Sequence, residues 1–210
     1  MSGRSSRRSL VLLVIACCGK SAPEADPGKI TKLASKMMRE VPTPAATREC
    51  TPADLTGGTT MTFRTLTLLA GGLPAVNKPE EADWINPAEL DAPAARVLAT
   101  PASSERAARQ AAAQLLAAPF FVVYKVDLVN APMALGVKEL KTGNVGTRVI
   151  RYEKTGLPSC VQVFVFENDH AVSDAAIEKS DQANMDPAIS KLLRDDLAVQ
   201  YIKLAPRGTK

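Results

Sequence analysis

Apolar positions recur at two different periods along this chain, and the change of period divides it into elements. Over residues 29–41, Ile30, Leu33, Met37 and Val41 return at helical spacing with Lys29, Lys32, Lys36 and Arg39 between them. That predicts an amphipathic helix with a basic outer face. Two roles fit it: a surface helix that grips anionic headgroups, or a domain-capping helix whose lysines are merely solvated. The second is the simpler. Ser104–Ala118 is the clearest helix, with Ser103 or Ser104 as N-cap, Glu105 in the first turn, an alanine-rich stripe and Pro119 beyond its end.

From Phe120 the period shortens to two. In Phe121–Val129, Val122, Tyr124, Val126 and Leu128 share a face opposite Lys125 and Asp127. Thr147–Glu153 and Val161–Phe166 follow, joined by Lys154–Ser159, a length that suits an antiparallel hairpin with a longer loop. In the third run Val161, Val163 and Val165 line one face and Phe164 and Phe166 the other, which predicts a central strand covered on both sides. Between Val41 and Ser103 the chain is rich in Pro, Thr, Ala and Gly. There Met61–Ala70 favours a strand over a helix, and a short helix at Pro87–Leu90 and a core-plugging Trp84 are expected. Past the strands, a weak helix is expected over Ser173–Ala183. A firmer one starts at Asp186-Pro187, with Ile189, Leu192, Leu193 and Leu197 as its buried stripe. Val199–Leu204 reads as a last helical turn or a final strand. The class is α+β: an antiparallel sheet, with core strands near 120–129, 147–153 and 161–166, and flanking helices.

The N-terminus follows neither period. Arg4, Arg7 and Arg8 precede a short apolar run, Leu10–Ala16, and then Cys17-Cys18. This order is that of a secretory signal peptide. The run is far shorter than the roughly 20 residues a membrane-spanning helix needs. Val14-Ile15-Ala16-Cys17 resembles the lipobox of bacterial lipoproteins, with Val14 where leucine is usual. The resemblance implies cleavage before Cys17, a diacylglycerol on its sulfur and acylation of its amine. Two or three such chains, at about 0.8 kcal/mol per buried CH₂, anchor a protein stably. The alternative is an ordinary signal peptidase site at the same small residues and a soluble secreted product. Gly19–Gly28 is small, polar and punctuated by proline, as a flexible tether is. Three segments result: a signal peptide at 1–16, a lipidated N-terminus and tether at 17–28, and a single α+β domain over 29–210. The expected location is the bacterial cell envelope, in the outer membrane or the cell membrane, with membrane lipid as the partner of acylated Cys17.

Composition narrows the functional classes. Residues 1–16 hold three arginines and no acid, so without them the formal net charge falls from +4 to +1. That balance, with aromatics at 4%, gives no basis for nucleic-acid binding. With Cys17 acylated, Cys50 and Cys160 remain inside the domain, and an oxidising envelope lets them pair if the fold brings them together. No cysteine has metal-ligand spacing. Gly19-Lys20-Ser21 echoes a phosphate-binding loop, but Val14 stands where that motif needs glycine. His170 is the one histidine and lies in the polar turn Glu167–His170 after the third strand. The acids from Glu167 to Asp186 lack calcium-loop spacing. No complete catalytic constellation and no cofactor motif accompany His170. The leading expectation is a non-enzymatic envelope lipoprotein, a binding or assembly module with an envelope protein as its further partner. The alternative is an envelope hydrolase with a site near Glu167–His170.

Overall fold

Alternation of bulky side chains over Phe120–Asn130 yields the extended strand it predicts. The computed structural model describes residues 22–72, 90–130, 133–136, 139–168, 191, 195–197 and 199–200. It places this strand, β2, in a four-stranded sheet of order β1 (Thr59–Thr62), β2, β5 (Asn144–Glu153), β6 (Pro158–Glu167). β1 runs parallel to β2, and the other pairs are antiparallel. β3 (Met133–Gly136) and β4 (Glu139–Lys141) pair antiparallel as a separate two-stranded sheet, with a register shift between Ala134 and Gly136. The helices are α1 (Pro27–Arg39), α2 (Phe63–Leu69), α3 (Pro93–Ala99) and α4 (Glu105–Ala117).

The α+β class and the three core strands are as expected, and α1 and α4 fall where the helical periods put them. Asp26 caps α1 by accepting from the Gly28 N–H, so the helix takes in Pro27 and Gly28, which the sequence reading assigns to the tether. Ser104 caps α4 by accepting from the Ala107 N–H. One sheet face, with Phe121, Val123, Ile150, Tyr152 and Val161, packs under Ile30 and Met37 of α1, Leu66 of α2 and Ala112 and Leu115 of α4. The other face, with Val122, Tyr124, Val126, Val149 and Phe166, is met by Cys50, Leu55, Leu90 and Leu197. The β5–β6 turn rests on α1. Gly156 there has φ +78°, and a Cβ at this position would stand 3.0 Å from Leu33 Cδ1.

Three expectations are corrected. Met61–Ala70 is not one strand, because β1 ends at Thr62, whose hydroxyl accepts from the Thr65 N–H and starts α2. The third core strand, β6, is the sheet edge and not its centre: Val161 is buried, whereas Val163 is 51% and Val165 63% exposed. Leu128 does not share a face with Val122, Tyr124 and Val126. A bulge between Val126 and Leu128 sets Leu128 opposite Gly146, on the Lys125 face, where it is exposed. The expected helix at 173–183 and Trp84 lie outside the described residues, as do Pro87–Glu89, Asp186-Pro187, Ile189, Leu192 and Leu193. Leu90, Lys191, Asp195–Leu197 and Val199-Gln200 are described and helical.

The edge position of β6 predicts unequal valines. Val165→Thr should change stability by less than about 0.5 kcal/mol, whereas Val161→Ala should cost roughly 1.5–3 kcal/mol. Urea unfolding of the two variants checks this, and equal losses would contradict an open edge.

Candidate functional site

The two cysteines that the sequence leaves inside the domain are joined. Cys50 and Cys160, 110 residues apart, form a disulfide with Cα atoms 5.0 Å apart, and both are buried. Residues 48–50 run alongside the outer edge of β6: the Val161 N–H donates to Arg48 O at 2.9 Å and the Cys50 N–H to Val161 O at 3.1 Å. The bridge thus crosslinks a short ladder that already exists.

A polar clasp stands beside it. The Arg48 guanidinium donates to both carboxylate oxygens of Asp54, at 2.8 and 3.1 Å. The Thr51 N–H and hydroxyl each donate to Asp54 Oδ2 at 2.8 Å, and Arg151 reaches Oδ1 at 3.4 Å. The Arg48 bond first, and then the Thr51 bonds, hold the Asp54 carboxyl well below the usual carboxylate range. Arg151 also lies over the Phe120 ring at 4.1 Å. A carboxylate bound by so many donors is a poor base, so the cluster is a fastener between residues 48–55 and β5. Thr51-Pro52-Ala53-Asp54 has the spacing of a capping box, the one local signal that marks it in the sequence.

Asp91 is a second carboxylate without such a signal, since its partners lie far back in the chain. It accepts from the Thr62 N–H and the Thr65 hydroxyl, both at 2.5 Å, and so ties the residues before α3 to the β1–α2 junction. Burial pushes its carboxyl above the ordinary value, against the pull of those bonds. A third cluster lies on the open part of the sheet, where Lys125 and Arg148 both pair with Asp127. Burial raises Asp127, but the Arg148 and Lys125 bonds outweigh it and hold the carboxyl low. Arg148 also donates to Pro42 O at 2.7 Å.

The residues proposed for chemistry are placed only in part. Glu167 ends β6, exposed. Asn168 exchanges bonds with Gly143, donating its N–H at 3.2 Å and accepting at Oδ1 at 2.8 Å, and its Nδ2 meets Asp196 at 3.1 Å. This start of the turn holds two strand ends and a helix together. His170 and Cys17 lie outside the described residues. Among the described residues no three His, Cys, Asp or Glu side chains gather to hold a metal, and no helix is long and apolar enough to cross a membrane. A hollow of about 10 Å³ under α1, lined by Ile30, Met37, Leu66, Leu115 and Phe121, has no more than the room of one water. No family model, no curated protein and no solved structure matches this chain.

Two outcomes follow from these contacts. Replacing both bridged cysteines by alanine should lower stability by roughly 4–5 kcal/mol in the chain-entropy model, read by urea unfolding, and non-reduced protein should show neither Cys50 nor Cys160 in a free-thiol count. For Asp91, the folded value lies above the ordinary 3.8, so the folded chain takes up this proton before the unfolded one does. Its contribution to stability therefore rises as the pH falls from neutral toward that ordinary value. The wild type should gain on Asp91→Asn in urea midpoint over that interval; a flat difference would show the carboxyl to be unperturbed, and a reversed one would show it lowered.

Proposed function

We propose that this chain is a lipid-anchored protein of the bacterial cell envelope that works as a non-enzymatic binding or assembly module, held to the membrane through acylated Cys17. The observation that carries the reading is Val14-Ile15-Ala16-Cys17 behind a cationic and apolar leader. The buried Cys50–Cys160 disulfide supports it, because such bonds persist in oxidising compartments and are rare in the cytosol. Cys17→Ala tests the anchor: the expected product is unprocessed, or is recovered in the soluble fraction after cell lysis. A variant that is cleaved and fractionates with membranes like the parent would overturn the reading.

A further inference from the structure

α1 carries a surface that the packing of the domain does not use. Lys29, Lys32, Lys36 and Arg39 fall within an arc of about 80° at 3.6 residues per turn, roughly opposite the buried Ile30, Ala34 and Met37. Lys29, Lys32 and Arg39 are exposed and Lys36 is half-buried. None of the four makes an ion pair among the described residues, whereas Arg48, Arg148 and Arg151 all do. The acids around them do not neutralise the face. Glu24 pairs with Arg106, the Asp26 carboxylate caps the Gly28 N–H, and Glu40 at the helix end pairs with none of the four. The β5–β6 turn adds to the same side. Gly156 brings it against Leu33 and Lys36, and it exposes Lys154, also unpaired, and Leu157, which is 45% exposed.

We propose that this face of α1, with Lys154 and Leu157, docks on anionic lipid headgroups and sets the orientation of the domain on the membrane. The inference rests on the lipid-anchor reading for its geometry. α1 begins ten residues after Cys17, and a stretch of that length reaches at most roughly 30–35 Å. The first helix among the described residues beyond the anchor is therefore the basic one, and it cannot leave the neighbourhood of the bilayer. Lysines over an anionic surface with an apolar residue among them is the pattern of an interfacial binding face. A capping helix with merely solvated lysines also shows the single arc, but it does not need the exposed leucine beside it.

The test uses protein purified from its own membranes and reconstituted into vesicles of neutral phosphatidylcholine or of phosphatidylcholine with anionic phosphatidylglycerol. Lysines are labelled with an amine-reactive reagent and read by peptide mass spectrometry. Labelling of Lys29, Lys32, Lys36 and Lys154 is expected to be about fivefold lower on the anionic vesicles and to recover in about 0.5 M salt, while Lys191, off this face, labels alike on both. The variant carrying Lys29→Gln, Lys32→Gln, Lys36→Gln and Arg39→Gln should lose the protection of Lys154. Equal labelling on both vesicles overturns the proposal, including the case in which an acidic protein and not lipid occupies the face. Failure of the anchor reading shows separately, as an N-terminal peptide without acyl mass. Protein of that kind is sedimented with the same vesicles, where the proposal requires capture by the anionic set and loss of capture in the glutamine variant.

Discussion

Val122 and Val123 are neighbours in β2, and both are fully buried. Adjacent residues of a strand point to opposite faces, so the sheet has to be covered on both sides, and this requirement organises the rest of the molecule. The two covers differ in kind. On one side α1, α2 and α4 supply apolar stripes whose backbone groups are already satisfied within the helices. On the other, part of the cover comes from chain outside any α-helix or strand, at Cys50 and the short 3-10 turn that ends at Leu55, beside helical Leu90 and Leu197. Irregular chain brings backbone groups and conformational freedom that must be dealt with separately. The fastenings are concentrated there for that reason: the disulfide, the ladder bonds of residues 48–50 to β6, and Asp54 between Arg48 and Arg151. Asp91 does the same service on the first side, where a loop and not a helix meets the β1–α2 junction.

What was legible in the sequence was whatever depends on nearest neighbours along the chain. The α1 stripe, the Ser104 cap of α4, the alternation in β2 as far as Val126 and the β5–β6 hairpin are all local patterns, and all are present. The misreadings are those in which a distant contact decides. A run such as Val161–Phe166 is apolar on both faces whether it lies at the centre of a sheet or at its edge, and the order of strands is not written in it. Leu128 was assigned by strict alternation, which a single bulge reverses, and Gly146 opposite it leaves room for the change. In Met61–Ala70 the threonines favour a strand by propensity, yet the Thr62 hydroxyl is also a good helix cap. Its position three residues before the Thr65 N–H is what turned the segment.

The polar fastenings were less legible still. Arg48, Asp54 and Arg151 come from segments about 100 residues apart, and only the Thr51–Asp54 spacing hints at them. Asp91 has no hint, because its value lies in being buried beside Thr62 and Thr65. The cysteines are the exception. Cys17 and Cys18 stand together near the N-terminus and only Cys50 and Cys160 lie within residues 29–210, so position along the chain pairs the two, although no spacing could show the geometry of the bond. The lipobox reading and the disulfide therefore lean on one another: an export signal explains why a bond forms, and the bond is of the kind that export permits.

The basic residues divide by place and not by type: Lys125 and Lys191 pair with acids as Arg48, Arg148 and Arg151 do, whereas Lys29, Lys32, Lys36 and Arg39 of α1 make no ion pair among the described residues. Arginine has a planar fork suited to carboxylates, and here Arg48, Arg148 and Arg151 turn toward acids on or beside the sheet, where they hold segments together. Lysine is a strongly hydrated point charge that costs little to leave in water. Unpaired lysines alone therefore say nothing. Their distribution does: residues 17–210 are close to neutral overall, yet the helix nearest the proposed anchor collects four cations on one arc, while the acids just before it are spent on Arg106 and the Gly28 N–H. An anchor at one point fixes distance and not angle. A charged face beside the tether supplies the angle.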